Sequence, residues 1–263
     1  MTTPEPSTLF DVRGKAAVVT GGTRGIGLMI ARGLLAAGAS VAITSRKAEA
    51  VEAAVAELSP LGEVWGVPAD LATAAGVASF AEAVAARTDR VDLLVNNAGA
   101  TWGAPVDEFP AAGWDKVLST NVQGVFTLTQ ALLPQLRAAA SDEDPARVVN
   151  IGSVDGLRVP PMENYAYSAS KAAVHMLTRH LAKRLASERI TVNAIAPGPF
   201  HSSMTAFMLD DPAGREAVAA SVPLGRIGTP DDVVGLTLFL ASRAGSYLTG
   251  TVIPLDGGIT GTA

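Results

Sequence analysis

Cysteine is absent from the 263 residues. That excludes disulfides, thiolate nucleophiles and cysteine-ligated metals. Aromatic residues make up only 5%, and the 17% of charged residues falls below the roughly 25% of an average domain. A basic excess is also missing: 20 Lys and Arg face 25 Asp and Glu, a net charge of -5. No electrostatic case for nucleic acid follows. Long apolar runs are lacking too, although the mean hydropathy is high at +0.30. Ala16–Thr20, Val41–Thr44 and Val91–Val95 fall far short of the ~20 residues that span a bilayer, so no membrane partner is expected. Residues 1–8 lack a basic start and an apolar stretch. They are expected to form a flexible N-terminal tail, not a signal peptide, which makes the cytoplasm the expected compartment.

What is present is 48% hydrophobic residues, mostly small aliphatics. A chain of this length buries roughly 70–75% of its unfolded surface. Disordered, collagenous and coiled-coil chains are excluded. The composition fits a parallel sheet covered on both faces by helices. Short β-branched runs alternate with longer Ala/Leu-rich amphipathic runs. Strands are predicted at Lys15–Thr20, Val41–Ser45, Glu63–Val67, Val91–Asn96, Arg147–Ile151, Thr191–Ile195 and Thr251–Pro254. Helices are predicted from the glycine-rich turn to about Ala37, and at Ala48–Leu58, Thr73–Ala86, Ala111–Ala138, Tyr167–Ala186 and Pro230–Leu240. The long Ala111–Ala138 pattern is interrupted at Asn121 and Gly124, with Pro134 near its end. This alternation argues for one α/β domain over residues 9–263, a Rossmann-type doubly wound parallel sheet flanked by helices on both faces. No linker or repeat divides it. Residues 200–226 break the rhythm and read as a lid over a binding site.

The first strand runs into Thr20-Gly21-Gly22-Thr23-Arg24-Gly25-Ile26-Gly27. Glycines permit a tight turn and close approach to a pyrophosphate, and the helix N-terminus behind them offers free N–H groups. The bland alternative is a strand-to-helix turn whose glycines serve packing. The second strand ends Thr44-Ser45-Arg46-Lys47. An acidic residue there would grip a ribose 2′-hydroxyl; instead Ser45 is followed by two cations. Arg46 and Arg24 suit a 2′-phosphate, which predicts NADP(H) over NAD(H). Arg46 and Lys47 are otherwise an ordinary solvated helix start. Asp70 can accept from an adenine amino group, although Asp70 or Thr73 serves equally well as a helix N-cap. Tyr167 and Lys171 stand four apart, on one face of a helix. An ammonium beside a phenol favours the phenolate and is expected to lower the tyrosine pKa from its ordinary ~10. Tyr167 then serves as proton donor to a carbonyl or as base to an alcohol. Ser153, just past the fifth strand, faces the same crevice as the glycine turn, because strand carboxyl ends line it. Its hydroxyl can polarise a substrate oxygen.

Thr20-Gly21-x3-Gly25-x-Gly27, Asn96-Asn97-Ala98-Gly99, Asn121, Ser153, Tyr167-x3-Lys171 and Pro197-Gly198, in this order, resemble the short-chain dehydrogenase/reductase family from about Lys15 to Gly258. The resemblance implies Tyr167 as general acid/base and Lys171 lowering its pKa while holding the nicotinamide ribose. It implies Ser153 orienting the carbonyl, and Asn121 kinking the long helix and holding a relay water. Gly21, Thr23, Arg24, Gly25, Ile26, Gly27, Ser45, Arg46, Asp70 and Leu71 form the expected cofactor site. Asn97, Ala98 and Gly99 back its adenosine side; Pro197, Gly198 and Phe200 meet the carboxamide, and Ser202 keeps a hydroxyl where threonine is common. Residues 96–104, 113–117, 144–148 and 165–167 resemble the rhamnolipid-linked 3-oxoacyl-acyl-carrier-protein reductase branch. That branch implies reduction of a β-ketoacyl thioester with NADPH, an acyl carrier protein as a further partner, and a homotetramer built on the two longest helices and the last strand.

Trp102, Met162, Met204, Phe207 and Met208 are expected near the cleft mouth, where flexible walls suit an acyl chain; ordinary packing explains them equally well. Arg179, Lys183 and Arg184 suit an acidic carrier or a solvated face. His175, His180 and His201 lack partners at metal spacing, so no metal is assigned. The alternatives are a sugar or polyol dehydrogenase on the same scaffold and, less favoured, a non-catalytic dinucleotide sensor.

Overall fold

The computed structural model describes residues 6–202 and 204–262. Residues 1–5 of the expected tail lie outside the described residues; Pro6–Leu9 forms a four-residue helix, α1. Seven strands follow: β1 (Ala16–Thr20), β2 (Ser40–Ser45), β3 (Val64–Pro68), β4 (Leu93–Asn96), β5 (Ala146–Ile151), β6 (Ile190–Pro197) and β7 (Val252–Leu255). They form one sheet in the order β3-β2-β1-β4-β5-β6-β7, and every pairing is parallel. The strand order turns back between β1 and β4. A crevice opens there outside the strand carboxyl ends, the usual ligand site of such sheets. The doubly wound architecture read from the sequence is borne out.

Helices α2 (Gly25–Ala36), α3 (Ala48–Leu58), α4 (Ala74–Ala85), α5 (Ala111–Leu118), α6 (Gly124–Ala131), α7 (Leu133–Ala139), α8 (Tyr165–Leu185), α9 (Ala206–Leu209), α10 (Pro212–Ala220) and α11 (Pro230–Ala241) complete the chain. Two cores lie on the two sheet faces, and the period-two alternation of strand side chains assigns residues to them. Val19, Ile43 and Val95 join Ile30, Leu34 and Val233 on the face of α2 and α11. Val18, Ala42 and Leu94 join Phe80, Leu128 and Leu185 on the face of α4, α6 and α8. Each fully buried Val, Leu or Phe contributes about 1.5–3 kcal/mol, which holds the strand ends in fixed register.

The single helix expected over Ala111–Ala138 is three. A π-helical turn, Ser119–Gln123, separates α5 from α6. The Leu132 backbone then leaves helical geometry, and Pro134 lies in the first turn of α7. Proline lacks the N–H that a helix interior needs but is tolerated at the first positions, so it opens a helix here and does not close one. Residues 200–226 carry α9 and α10, and Phe200 bridges to Gly228. No helix among the described residues is long and apolar enough to cross a membrane.

Candidate active site

The glycine turn between β1 and α2 is shaped by backbone alone. Gly21 and Gly25 have φ of 63° and 53°, the left-handed region that favours glycine. A side chain at Gly27 would collide with the Gly21 carbonyl and the Asn97 amide. Asn97 fixes the turn: its Nδ2 donates to the carbonyls of Thr20 (2.8 Å) and Gly21 (3.2 Å). Thr20 Oγ1 accepts from the backbone N–H groups of Asn97 and Ala98, each at 2.9 Å. Asn97 and Ala98 thus tie β4 to β1. The N-cap of α2, Arg24, is extended and its side chain caps nothing. The first N–H groups of that helix are left for an anion.

Arg24 and Arg46 are both exposed. Thr20 and Thr44 are register partners, so the two arginines follow adjacent strand ends, with Ser45, the last residue of β2, directly before Arg46. Thr23 and Ile26 are half-buried on the turn, Ile26 against the α2-side core. Asp70 is exposed and its carboxylate accepts from the Ala72 N–H (3.1 Å). Thr73, not Asp70, is the α4 N-cap, accepting from Gly76 at 3.0 Å. Leu71 is buried, and its carbonyl would meet any side chain placed at Gly124. The donor set therefore fits a phosphorylated dinucleotide: backbone N–H groups, positive-φ glycines and two unengaged guanidiniums.

The proposed chemistry gathers at the other side of the crevice. Lys171 is buried, and its Nζ donates to the Ile151 carbonyl at 2.8 Å, two residues before Ser153. The same Nζ lies 5.4 Å from the centroid of the Tyr167 ring and 3.8 Å from a Cβ built on Gly99. Asn121 sits inside the π turn and is buried. It accepts from the Ala100 N–H at 2.7 Å and donates to the Ala100 carbonyl and to Ser170 Oγ, each at 2.9 Å. Ser170 Oγ in turn donates to the Tyr167 carbonyl at 2.7 Å. Asn121 therefore ties the loop after β4 to the helix that carries Tyr167 and Lys171. Ser153 caps the short turn Val154–Gly156, accepting from the Asp155 N–H at 3.1 Å.

The expected lowering of the Tyr167 pKa is not found in the protein alone. Burial pushes the phenol up to about 12; the Ser153 hydroxyl beside it pulls the other way, and the Asp155 carboxylate adds to the rise. Burial pushes Lys171 down to about 8. The reason is physical: both groups are desolvated, and the ammonium is committed to a backbone carbonyl rather than to the phenol oxygen. Burial likewise takes His175, one turn beyond Lys171, down to about 4, with the Lys171 charge adding to the drop and the Gly156 backbone only partly opposing it. No hydrogen bond of good geometry reaches either of its ring nitrogens.

Ser153, Tyr167, Pro197 and Gly198 line a cleft of about 630 Å³ whose outer wall includes Met162, Met204, Phe207 and Met208. The Phe200 ring is buried in the α2-side core and packs against Gly228, which leaves its backbone to address a ligand. Ser202 lies over the glycine turn, its Cβ 3.1 Å from a Cβ built on Gly25. Trp102 leaves the cleft and packs on Gly113, with Lys116 Nζ 5.0 Å from the centroid of the Trp102 indole. His201 pairs with Asp210 at 2.8 Å. Sequence reading missed Thr205, which pins the start of the 200–226 stretch by donating to the Phe200 carbonyl at 2.7 Å. It also missed Ser170, although that residue stands between Tyr167 and Lys171, and Asp155 and Asn164 in the cleft wall.

A strand-turn-helix dinucleotide cradle facing a Ser-Tyr-Lys cluster across one crevice defines an oxidoreductase. Comparison with known proteins gives the class its name. A family model described as Enoyl-(Acyl carrier protein) reductase matches residues 21–260. The chain belongs to the short-chain dehydrogenase/reductase family. It is 51% identical over 249 residues to the rhamnolipids biosynthesis 3-oxoacyl-[acyl-carrier-protein] reductase of Pseudomonas aeruginosa, covering 95% of this chain and 97% of that one. Gluconate 5-dehydrogenase of Gluconobacter oxydans is 36% identical, over 96% of this chain and 97% of that one. The solved Pseudomonas aeruginosa RhlG/NADP active-site complex superposes with a TM-score of 0.93 at 50% identity, covering 96% of this chain and 99% of that one. The family resemblance and its rhamnolipid-linked branch are borne out.

Proposed function

We propose that this protein reduces the keto group of a 3-oxoacyl thioester to the alcohol with NADPH. The carrying observation is the placement of Ser153 and Tyr167 on one wall of a cleft closed by a methionine-rich lid. The glycine turn, Arg24 and Arg46 would hold NADPH, with Lys171 at its nicotinamide ribose; when bound, it supplies the hydride. The Ser153 hydroxyl hydrogen-bonds the carbonyl oxygen and Tyr167 Oη delivers the proton to that oxygen. A phenol whose pKa is pushed up to about 12 stays protonated at neutral pH, which suits the reductive direction. The tyrosinate regains its proton from solvent through the cleft that it lines. Both ends of the Asn121 amide are engaged, so a relay water there would take its acceptors from the backbone of the π turn, where α-helical pairing is broken. The similarity to the RhlG/NADP complex and to the Pseudomonas aeruginosa reductase supports this reading.

The second reading is a sugar or polyol dehydrogenase, favoured by the similarity to gluconate 5-dehydrogenase and by Asp155, Glu163 and Asn164 in the cleft wall. Assays with NADPH against 3-oxoacyl thioesters of several lengths, a ketosugar and a bulky cyclic ketone separate the two. Turnover of the thioesters is expected, and failure with all of them overturns the first reading. A homotetramer is part of the proposal. Leu118, Phe126 and Met176 are exposed on α5, α6 and α8 and need cover; sedimentation velocity tests it. An acyl carrier protein as donor of the substrate, and a cytoplasmic location, complete the reading.

A further inference from the structure

The wall that carries Ser153 also carries a carboxylate that the reduction itself does not use. Asp155 stands two residues beyond Ser153, in the turn capped by that serine. Its backbone N–H is spent on Ser153 Oγ, which fixes the Asp155 backbone relative to the hydroxyl. The carboxylate is half-buried, lines the cleft with Tyr167, and lies close enough to raise the pKa of that phenol. Burial raises the Asp155 carboxyl itself; the neighbouring Asn164 amide and the Arg158 charge oppose the rise. Asn164 is itself buried and its Oδ1 accepts from Ser168 Oγ at 3.4 Å, so its Nδ2 is the end available to Asp155. An ionised carboxylate only accepts hydrogen bonds, and has about four lone-pair positions. One amide does not fill them.

The charge around this group is unbalanced. Arg158 also acts on Asp256, so one exposed guanidinium serves two carboxylates. Glu163, on the same wall, accepts from the Tyr165 hydroxyl at 3.0 Å, a neutral partner. The surrounding wall is otherwise largely apolar, which weakens screening of a charge placed there.

We infer that Asp155 is a specificity-determining residue: it accepts a hydrogen bond from an N–H or O–H on the thioester side of the reacting carbonyl and disfavours substrates that carry a carboxylate on that side. This rests on the thioester reading above. In that reading the donor is the first amide N–H of the thiol arm, and the excluded class is free 3-oxo acids and sugar acids. A site that pairs with a donor rejects the analogue lacking it, because a desolvated acceptor is then left without a partner.

The test uses three probes with NADPH: the 3-oxoacyl N-acetylcysteamine thioester, the S-ethyl thioester of the same acid, and the free 3-oxo acid. The first has the N–H, the second lacks it, and the third is anionic. The wild type is expected to favour the first over the second by about tenfold in kcat/KM, mostly through KM, and to turn over the third poorly. Asp155→Asn is expected to raise the free-acid to N-acetylcysteamine kcat/KM ratio by about tenfold or more. Equal wild-type kcat/KM for the two thioesters overturns the hydrogen-bonding role without requiring any variant. An unchanged ratio in Asp155→Asn that still binds NADPH normally overturns the exclusion role. Wild-type failure with both thioesters instead overturns the thioester reading, and this inference with it.

Discussion

The two sides of the crevice are made differently. On the β1–β4 side the cradle is backbone: glycine turns, helix N–H groups and carbonyls held by Asn97 and Thr20. Its side chains mostly hold the main chain in place, and its two arginines project freely into solvent. On the β5–β6 side the candidate chemistry lies in side chains: Ser153, Lys171 and His175 are buried, and Tyr167 is half-buried on the cleft wall. Tyr167, Lys171 and His175 are all displaced from their ordinary pKa values by desolvation. One side binds a fixed molecular shape, for which rigid dipoles suffice. The other must move a proton, which requires titratable groups with shifted affinities.

Tyr167→Phe is the sharpest test of this division. It should keep NADPH affinity near normal in fluorescence titration and lose roughly 10³-fold in kcat. Loss of binding together with turnover would erase the distinction between the sides. Acid should strike the substrate side first. His175 is buried with a pKa near 4 against the ordinary 6.5. The unfolded chain therefore binds its proton first, and stability is lost as pH falls from about 6.5 to about 4. The loss is roughly 3 kcal/mol for that group. Urea unfolding at pH 7 and pH 4.5 should show that extra loss in the wild type and not in His175→Gln. Arg46→Ala should weaken NADPH by about tenfold or more while leaving NADH nearly unchanged; equal losses would remove Arg46 from the 2′-phosphate. The smallest effect is expected from Phe207→Ala on the lid. The ring is 73% exposed, so KM for a long-chain thioester should rise only about threefold.

The sheet was legible because its strands are short apolar runs, most of them rich in β-branched residues, whose alternate side chains enter two different cores. The Ala48–Leu58 helix matches its predicted bounds. The break at Asn121 was visible as an interruption, but its π geometry was not. That geometry follows from Asn121 bonding to Ala100 and Ser170, partners that only the fold brings near. The spacing of Tyr167 and Lys171 was equally plain, since i and i+4 share a helix face. The electrostatics were not. Adjacency suggested that Lys171 lowers the Tyr167 pKa, whereas burial dominates both groups and the Ile151 carbonyl takes the ammonium. Phe200 was legible as a residue of the irregular 200–226 stretch, but not the inward turn of its side chain, a choice made by the space against Gly228.

The π turn at Ser119–Gln123 has a consequence for changes in chain length. Such a turn holds one residue more than the α turn it replaces. Deleting a single residue within it would let the helical ladder run through without a break. The repaired helix should gain regularity while α5 and α6 keep their relative orientation, because the π turn absorbs its extra residue within one turn. Asn121 would swing away from Ala100 and Ser170. A shortened variant could then be at least as resistant to heat as the parent yet lose its activity.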